Sequence, residues 1–159
     1  AAMITVHGRT TEQRFKGQCR REGIAQVVEA VGASTGIYGP NDGGVPVIGN
    51  GDVRSADDAI SMMRETGCAG VMIGRGAFAG PWVFREAWAA QRGEADVAPD
   101  DSQRLDVVLA YFRRMRAYRN DFYAMHKLRQ KISWLGKGIS GSHCRPLKEA
   151  VRAAASEVA

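Results

Sequence analysis

The stretch VPVIGNGDVRSADDAISMMRETGCAGVMIGRG, residues 45–76, decides the reading of the fold. Val45–Ile48 is a continuous apolar run, closed by Gly49-Asn50-Gly51-Asp52. Ser55-Ala56-Asp57-Asp58 has the pattern of a capping box with Asp in the usual Glu position, and it opens a helix to about Thr66. Gly67 stands where a helix commonly ends in a left-handed residue. Val71–Ile73 is a second apolar run, closed by Gly74-Arg75-Gly76. Strand, helix and strand at this spacing predict a parallel βαβ unit. Runs that are apolar at every position predict a sheet buried on both faces.

Working outward, Met3–Val6 is a third short strand, ended by His7-Gly8-Arg9-Thr10. Ile24, Val27, Val28 and Val31 recur at i, i+3, i+4 and i+7 and predict a helix over Ile24–Val31. Gly32–Gly44 holds five glycines and Pro40 in thirteen residues and reads as a loop. Ligands of parallel sheets gather at the carboxyl ends of the strands. Those ends are here His7–Thr10, Gly49–Asp52 and Gly74–Gly76, all carrying glycine and polar groups.

Two such ends in succession suit a phosphate. Glycine lets the backbone approach an anion, and the following helix N-terminus adds a favourable dipole. Arg75 adds a guanidinium whose fork matches phosphate oxygens. A single Gly-Arg-Gly is a common turn; its repetition one βαβ unit after Gly-Asn-Gly is what points to a ligand. His7 reads either as a ligand contact or as a histidine satisfied by local backbone. No acidic pair is spaced convincingly for acid–base work, no Ser-His-Asp arrangement can be argued, and no metal site is expected.

From residue 97 the pattern turns helical. Leu105, Val108, Leu109, Phe112 and Met115 form a stripe with the helical period. A second helix near Phe122–Leu135 aligns Met125, Leu128, Ile132 and Leu135, with Lys127, Lys131 and Trp134 on an adjacent face. Pro146 marks the start of a last helix, Leu147–Val158. The formal net charge of +5 is unevenly spread. Residues 1–96 carry 10 Lys/Arg and 11 Asp/Glu, whereas residues 97–159 carry 12 and 6. The shift predicts two domains, 1–96 and 97–159, the second facing a polyanion or simply presenting a solvated basic surface. If it meets RNA, Lys127, Lys131 and Trp134 are the candidate contacts, two phosphate partners and a stacking indole; otherwise Trp134 packs between helices.

Composition sets the outer bounds. With 45% hydrophobic and 25% charged residues in 159, the chain is neither a low-complexity tail nor a fibrous repeat. No apolar run approaches the ~18 residues of a membrane-spanning helix. Three cysteines, Cys19, Cys68 and Cys144, without a Cys-x-x-Cys pair, disfavour a disulfide framework or zinc site and fit a reducing cytoplasm. None carries an activating pattern for a nucleophile. The opening Ala1-Ala2-Met3-Ile4-Thr5-Val6 starts in mid-strand, with no signal-peptide pattern, which leads us to expect the C-terminal part of a longer protein.

The combination Val6-His7-Gly8-Arg9-Thr10, Lys16-Gly17, Pro46–Asp52, Gly70–Ala77 and Pro81-Trp82-Val83-Phe84 resembles the second half of the bacterial tRNA-dihydrouridine synthases. Trp134, Lys137 and Gly138 are similar to the Trp-x-x-Lys-Gly element of that family's tRNA-binding domain. The resemblance implies an α/β fold, the last strands of a TIM (β/α)8 barrel followed by an all-α helical bundle domain. It implies FMN as cofactor, NADPH as reductant, tRNA as partner, a cytoplasmic location and a monomeric full-length protein. By resemblance His7 contacts the flavin, Asn50, Gly51 and Asp52 line the FMN phosphate and ribitol, and Gly74 and Arg75 complete the phosphate site. The family's catalytic cysteine acid belongs to the barrel's first half, so no catalytic residue is expected among these residues and the chain alone is expected to be inactive. Two departures stand out: a long Gly32–Gly44 loop, and Arg129-Gln130-Lys131 where relatives often carry a Lys-His pair. Two alternatives remain at this level. One is another FMN- or phosphate-binding TIM-barrel oxidoreductase, such as a dihydroorotate dehydrogenase-like protein. The other is a non-catalytic RNA-binding remnant.

Overall fold

The computed structural model describes residues 2–13, 16–35, 44–139 and 144–154. In chain order the elements are β1 (Ile4–His7), α1 (Arg21–Thr35), β2 (Val47–Asn50), α2 (Ala56–Thr66), β3 (Gly70–Met72), a single turn α3 (Gly76–Ala79), α4 (Val83–Gln91), α5 (Asp101–Tyr118), α6 (Asp121–Leu135) and α7 (Arg145–Ala153). They fall into two compact units, residues 1–77 with 81–96, and residues 78–80 with 97–159.

In the first unit the three strands form one parallel sheet in the order β1-β2-β3. The helix between β2 and β3 is set by local chemistry. The Ser55 hydroxyl accepts from the Asp58 N–H at 3.1 Å, and the Asp58 carboxylate accepts from the Ser55 N–H at 3.0 Å. Gly67 closes α2 at φ 69 and donates its N–H to Met63. Ile24, Val53, Ala59, Met62, Cys68 and Ala87 make the buried core, with Val6, Val28, Val71 and Ile73 packed against it. Cys68, just before β3, is buried.

Element boundaries differ from the sequence reading where pairing or packing decides them. β2 runs on through Gly49 and Asn50, because these residues pair with Val6 and His7 of β1. β3 begins at Gly70 and stops at Met72, opposite the end of β2. α1 starts at Arg21 and continues through Gly32 to Thr35, so the expected loop does not begin at Gly32; its remainder, 36–43, lies outside the described residues. A mid-helix glycine costs about 1 kcal/mol relative to alanine, little enough to be absorbed here. The sheet is not buried on both faces either. In β1 Ile4 and Val6 are half-buried, whereas Thr5 and His7 are exposed, and Met72 is exposed in β3.

In the second unit α5 packs on α6 and α6 on α7. Asp100 caps α5 and Asn120 caps α6, each through its side chain. Met125, Leu128, Ile132 and Leu135 are buried together as their spacing predicts, with Val108, Ile139 and Cys144. The stripe on α5 is another matter: Leu105 and Leu109 are exposed, and Val107, Val108, Tyr111 and Phe112 face the core. Apolar residues occupy most sides of that helix, so periodicity alone did not select the face that meets α6. α7 starts at Arg145, with Pro146 in its first turn; residues 155–158 of the expected helix lie outside the described residues.

Met62 is fully buried, so Met62→Ala is expected to cost about 2–5 kcal/mol, read as a fall in the urea unfolding midpoint. Ser55→Ala, which removes a cap, is expected to cost about 1 kcal/mol. A Met62→Ala protein with the parent's midpoint would contradict this core.

Candidate functional site

The register sets His7 beside Asn50, and Asn50 beside Met72, so the three strand ends lie in a row. His7 Nδ1 accepts the Arg9 N–H at 3.1 Å, which leaves the ring's proton on Nε2 in the neutral form. Asn50 directs Nδ2 to the Met72 sulfur at 3.4 Å, and its carbonyl accepts the Gly8 N–H at 3.1 Å. Gly51 follows at φ 132 and Asp52 at φ 54, the sharp backbone that turns the chain out of β2.

The segment between β1 and α1 folds back onto this turn through one guanidinium. Arg9, with a side chain 3% exposed, donates to Asp52 at 2.6 Å, to the Gly17 carbonyl at 2.7 Å and to the Lys16 carbonyl at 3.4 Å. The same Asp52 oxygen accepts the Cys19 N–H at 2.9 Å. The Cys19 thiol points at the Asn50 carbonyl, 3.6 Å away, and fills the space where side chains at Gly8 and Gly51 would stand. Glycine at those two positions therefore makes room for Cys19 and not for a ligand. Burial pushes the Cys19 thiol up, so it stays protonated at neutral pH.

Gly74 differs. A Cβ built there meets nothing within 4 Å, so the backbone after β3 is open to close approach. At Gly76 a Cβ would stand 2.6 Å from the Val53 carbonyl, which ties the end of β3 to the turn after β2. Arg75 is exposed. An open cavity of about 690 Å³ is lined by Gly17, Cys19, Gly51, Asp52 and Arg54, among others, and one of about 320 Å³ by His7, Gly8, Arg9 and Thr10. Asn50, Gly74 and Arg75 line neither; strand register sets His7 beside Asn50, Gly51 and Asp52 follow directly in the turn, and Gly74 and Arg75 follow the next strand.

Polar capacity is left over at these ends. Arg9 Nη1 and Asp52 Oδ1 are buried with no hydrogen-bond partner among the described residues, and Arg54 Nη2 is 3.8 Å from that oxygen. A spare donor, a spare acceptor and the open backbone at Gly74 fit a polyhydroxyl or phosphate-bearing ligand such as FMN. The sequence reading missed Arg9 and Cys19 as parts of this site. Arg9 belongs to the quoted His-Gly-Arg-Thr, but no local pattern announces a partner 43 residues away.

Among the RNA candidates, the Lys127 ammonium lies 5.3 Å from the Tyr123 ring centre and the Lys131 ammonium 4.7 Å from that of Phe78. The two lysines are thus held over different rings. Trp134 is 40% exposed, so part of its ring is open to solvent. Among the described residues no group of three or more His, Cys, Asp or Glu could hold a metal, and no helix is long and apolar enough to cross a membrane.

Three parallel strands with helices between them define an α/β unit, and its family match implies that it is of TIM-barrel-like type. The sequence model of the dihydrouridine synthase (Dus) family matches residues 1–158, and the chain belongs to that family. The chain is 35% identical over 147 residues to a probable tRNA-dihydrouridine synthase of Mycobacterium tuberculosis, covering 91% of this chain and 35% of that protein. It is 30% identical over 141 residues to those of Rickettsia conorii and Aquifex aeolicus, covering 39% and 40% of their lengths. It therefore spans between a third and two fifths of the curated relatives it matches.

The Arg9–Asp52 pair makes a pH-dependent prediction. Burial alone raises the Asp52 carboxyl; hydrogen bonds from Arg9 and the Cys19 N–H, with the charges of Arg9 and Arg54, outweigh it and hold the group below its ordinary range. A depressed folded-state pKa contributes stability that is present above the unfolded value of about 4 and lost as pH falls through the folded one. Asp52→Asn is expected to be about 1.5–3 kcal/mol less stable near neutrality, with the gap closing below about pH 4. Urea melts across that range check it; a gap independent of pH would contradict the pair.

Proposed function

We propose that the full-length protein is an FMN-dependent tRNA-dihydrouridine synthase, reducing the C5–C6 double bond of uridine in tRNA at the expense of NADPH. The observation that carries this reading is the family match over residues 1–158, supported by strand ends whose leftover polar capacity fits a phosphorylated flavin. Uridine gains a hydride and a proton, and NADPH leaves as NADP⁺. Bound FMN supplies the hydride-transfer chemistry between the two. A tRNA substrate fits a cytoplasmic protein, which we take to be monomeric.

In this reading residues 1–96 form the later part of a TIM barrel and residues 97–159 a helical tRNA-binding domain. His7 and Asn50 face the flavin from adjacent strand ends. Gly51 and Asp52 hold the turn beneath it, Asp52 through Arg9 and the Cys19 N–H more than by direct contact. Gly74 and Arg75 offer open backbone and a guanidinium to the phosphate. Lys127, Lys131 and Trp134 meet the RNA. No acid role falls to the cysteines of this chain: Cys68 and Cys144 are core residues, and the Cys19 thiol is turned to the Asn50 carbonyl. The other phosphate-binding oxidoreductases considered from sequence give way to the family match.

Two measurements test the proposal. Deleting the gene should remove dihydrouridine at one or more tRNA positions, each seen by mass spectrometry as the loss of two hydrogens, and the wild-type gene should restore it. An unchanged tRNA mass map would refute the activity and favour a non-catalytic RNA-binding protein. Arg75→Ala should weaken FMN binding about 10- to 150-fold, the loss of one charge-assisted phosphate contact. An unchanged dissociation constant would take Arg75 out of the site.

A further inference from the structure

The corner between α5 and α6 carries aromatic surface that the packing of the second unit does not use. Tyr118, the last residue of α5, is 76% exposed, and Phe122, in the first turn of α6, is 69% exposed. Tyr123 stands beside Tyr118, ring centres 6.0 Å apart and tilted by 46°. The Arg119 guanidinium lies 5.5 Å from the Tyr123 ring centre and the Lys127 ammonium 5.3 Å from it. Rings and cations are thus interleaved on one short connection, Arg119-Asn120.

That connection is rigid. The Asn120 side chain accepts the Tyr123 N–H at 2.9 Å and so caps α6. Arg116 of α5 pairs with Asp121 of α6 across the corner. The rings therefore cost little entropy when they take a ligand. The charge around them is one-sided. From Arg113 to Lys148 there are ten basic residues and a single acid, Asp121, whose carboxylate is already held by Arg116. A surface of planar π-faces set beside Arg119 and Lys127, in a segment with a large excess of cations, complements a polyanion that also offers planar faces. An apolar protein partner would gain from Tyr118 and Phe122 but would have to desolvate the cations without a counter-charge.

We propose that the α5–α6 corner, formed by Tyr118, Arg119, Phe122 and Tyr123, is a base-stacking subsite that takes an unpaired nucleotide of the tRNA. The proposal rests on the tRNA reading above and adds a second contact to the face carrying Lys131 and Trp134. Tyr118 and Phe122 offer their faces to a base, which needs no particular sequence. Arg119, held over Tyr123, is positioned for the neighbouring phosphate. A duplex, whose bases are already stacked on one another, gains only the charge contacts.

The test uses the full-length protein and compares Tyr118→Ala/Phe122→Ala with the ring-retaining Tyr118→Phe/Phe122→Tyr. Binding is measured to unmodified tRNA, to a short single-stranded oligouridine and to an RNA duplex of the same length, over a series of salt concentrations. The alanine pair is expected to bind tRNA and oligouridine about 5- to 150-fold more weakly, the range of one lost base stack. It should bind the duplex as the parent does and keep the parent's salt slope, because no phosphate contact is lost. The ring-retaining pair should bind like the parent. Arg119→Gln should instead flatten the slope by about 0.7, one phosphate contact to a single strand. FMN binding and the urea midpoint report whether the variants fold; both truncated side chains are largely exposed, so both readings should hold. Unchanged tRNA and oligouridine binding by the alanine pair, or an equal loss on the duplex, overturns the subsite and leaves a protein partner as the occupant of the corner. A parent protein that binds no tRNA refutes the broader reading instead.

Discussion

The Arg9–Asp52 ion pair is the contact on which the geometry of the strand ends depends. One guanidinium, almost wholly buried, spans the chain after β1, the chain before α1 and the turn after β2. It ties the β1–α1 segment to the turn after β2, beside the Gly8 N–H and Cys19 thiol contacts to the Asn50 carbonyl, and its Asp52 partner anchors the Cys19 N–H. A charge pair with one partner almost wholly buried carries a desolvation cost, and replacing a buried pair by apolar packing is often neutral for stability. Its retention here makes sense as positioning. It fixes the left-handed backbone at Asp52 and the open one at Gly51, which carry Asn50 and the start of α2 into place.

The same turn corrects a common inference about glycine-rich loops. Of the glycines at these strand ends, Gly8, Gly49, Gly51 and Gly76 are crowded by protein atoms where a Cβ would stand. Their smallness serves packing: Cys19 against Gly8 and Gly51, Met62 and Cys68 against Gly49, the Val53 carbonyl against Gly76. Gly74 alone of this group opens on empty space, and it is the one whose absent side chain is best explained by a ligand. In the proposed function the phosphate meets Gly74, while the crowded glycines beneath keep the three strands close.

What could be read from the sequence follows the range of the chemistry. Ser55, Asp58 and Gly67 bound α2 as expected, since caps are made by residues three or four apart. The buried face of α6 was legible because Met125, Leu128, Ile132 and Leu135 share one side, although Phe122 and Trp134 stand exposed on others. The face of α5 was not, since Leu105 and Leu109 are as apolar as the residues that are buried. Strand ends slid by one or two residues because pairing with a neighbour fixes them, not the apolar run itself. His7, Asn50, Gly51 and Asp52 were named from the sequence, yet the pairing of Asp52 with Arg9, 43 residues away, and with the Cys19 N–H, 33 away, is one that no periodicity encodes.

In the proposed function these strand ends hold the flavin's phosphate and with it much of the flavin's affinity. Competition between FMN and riboflavin for the full-length protein, followed by flavin fluorescence at equilibrium, tests it most directly, because the two ligands differ only in the phosphate. The account predicts that riboflavin binds at least about 10-fold more weakly, the loss of one or more charge-assisted hydrogen bonds. Equal dissociation constants for the two flavins would contradict it.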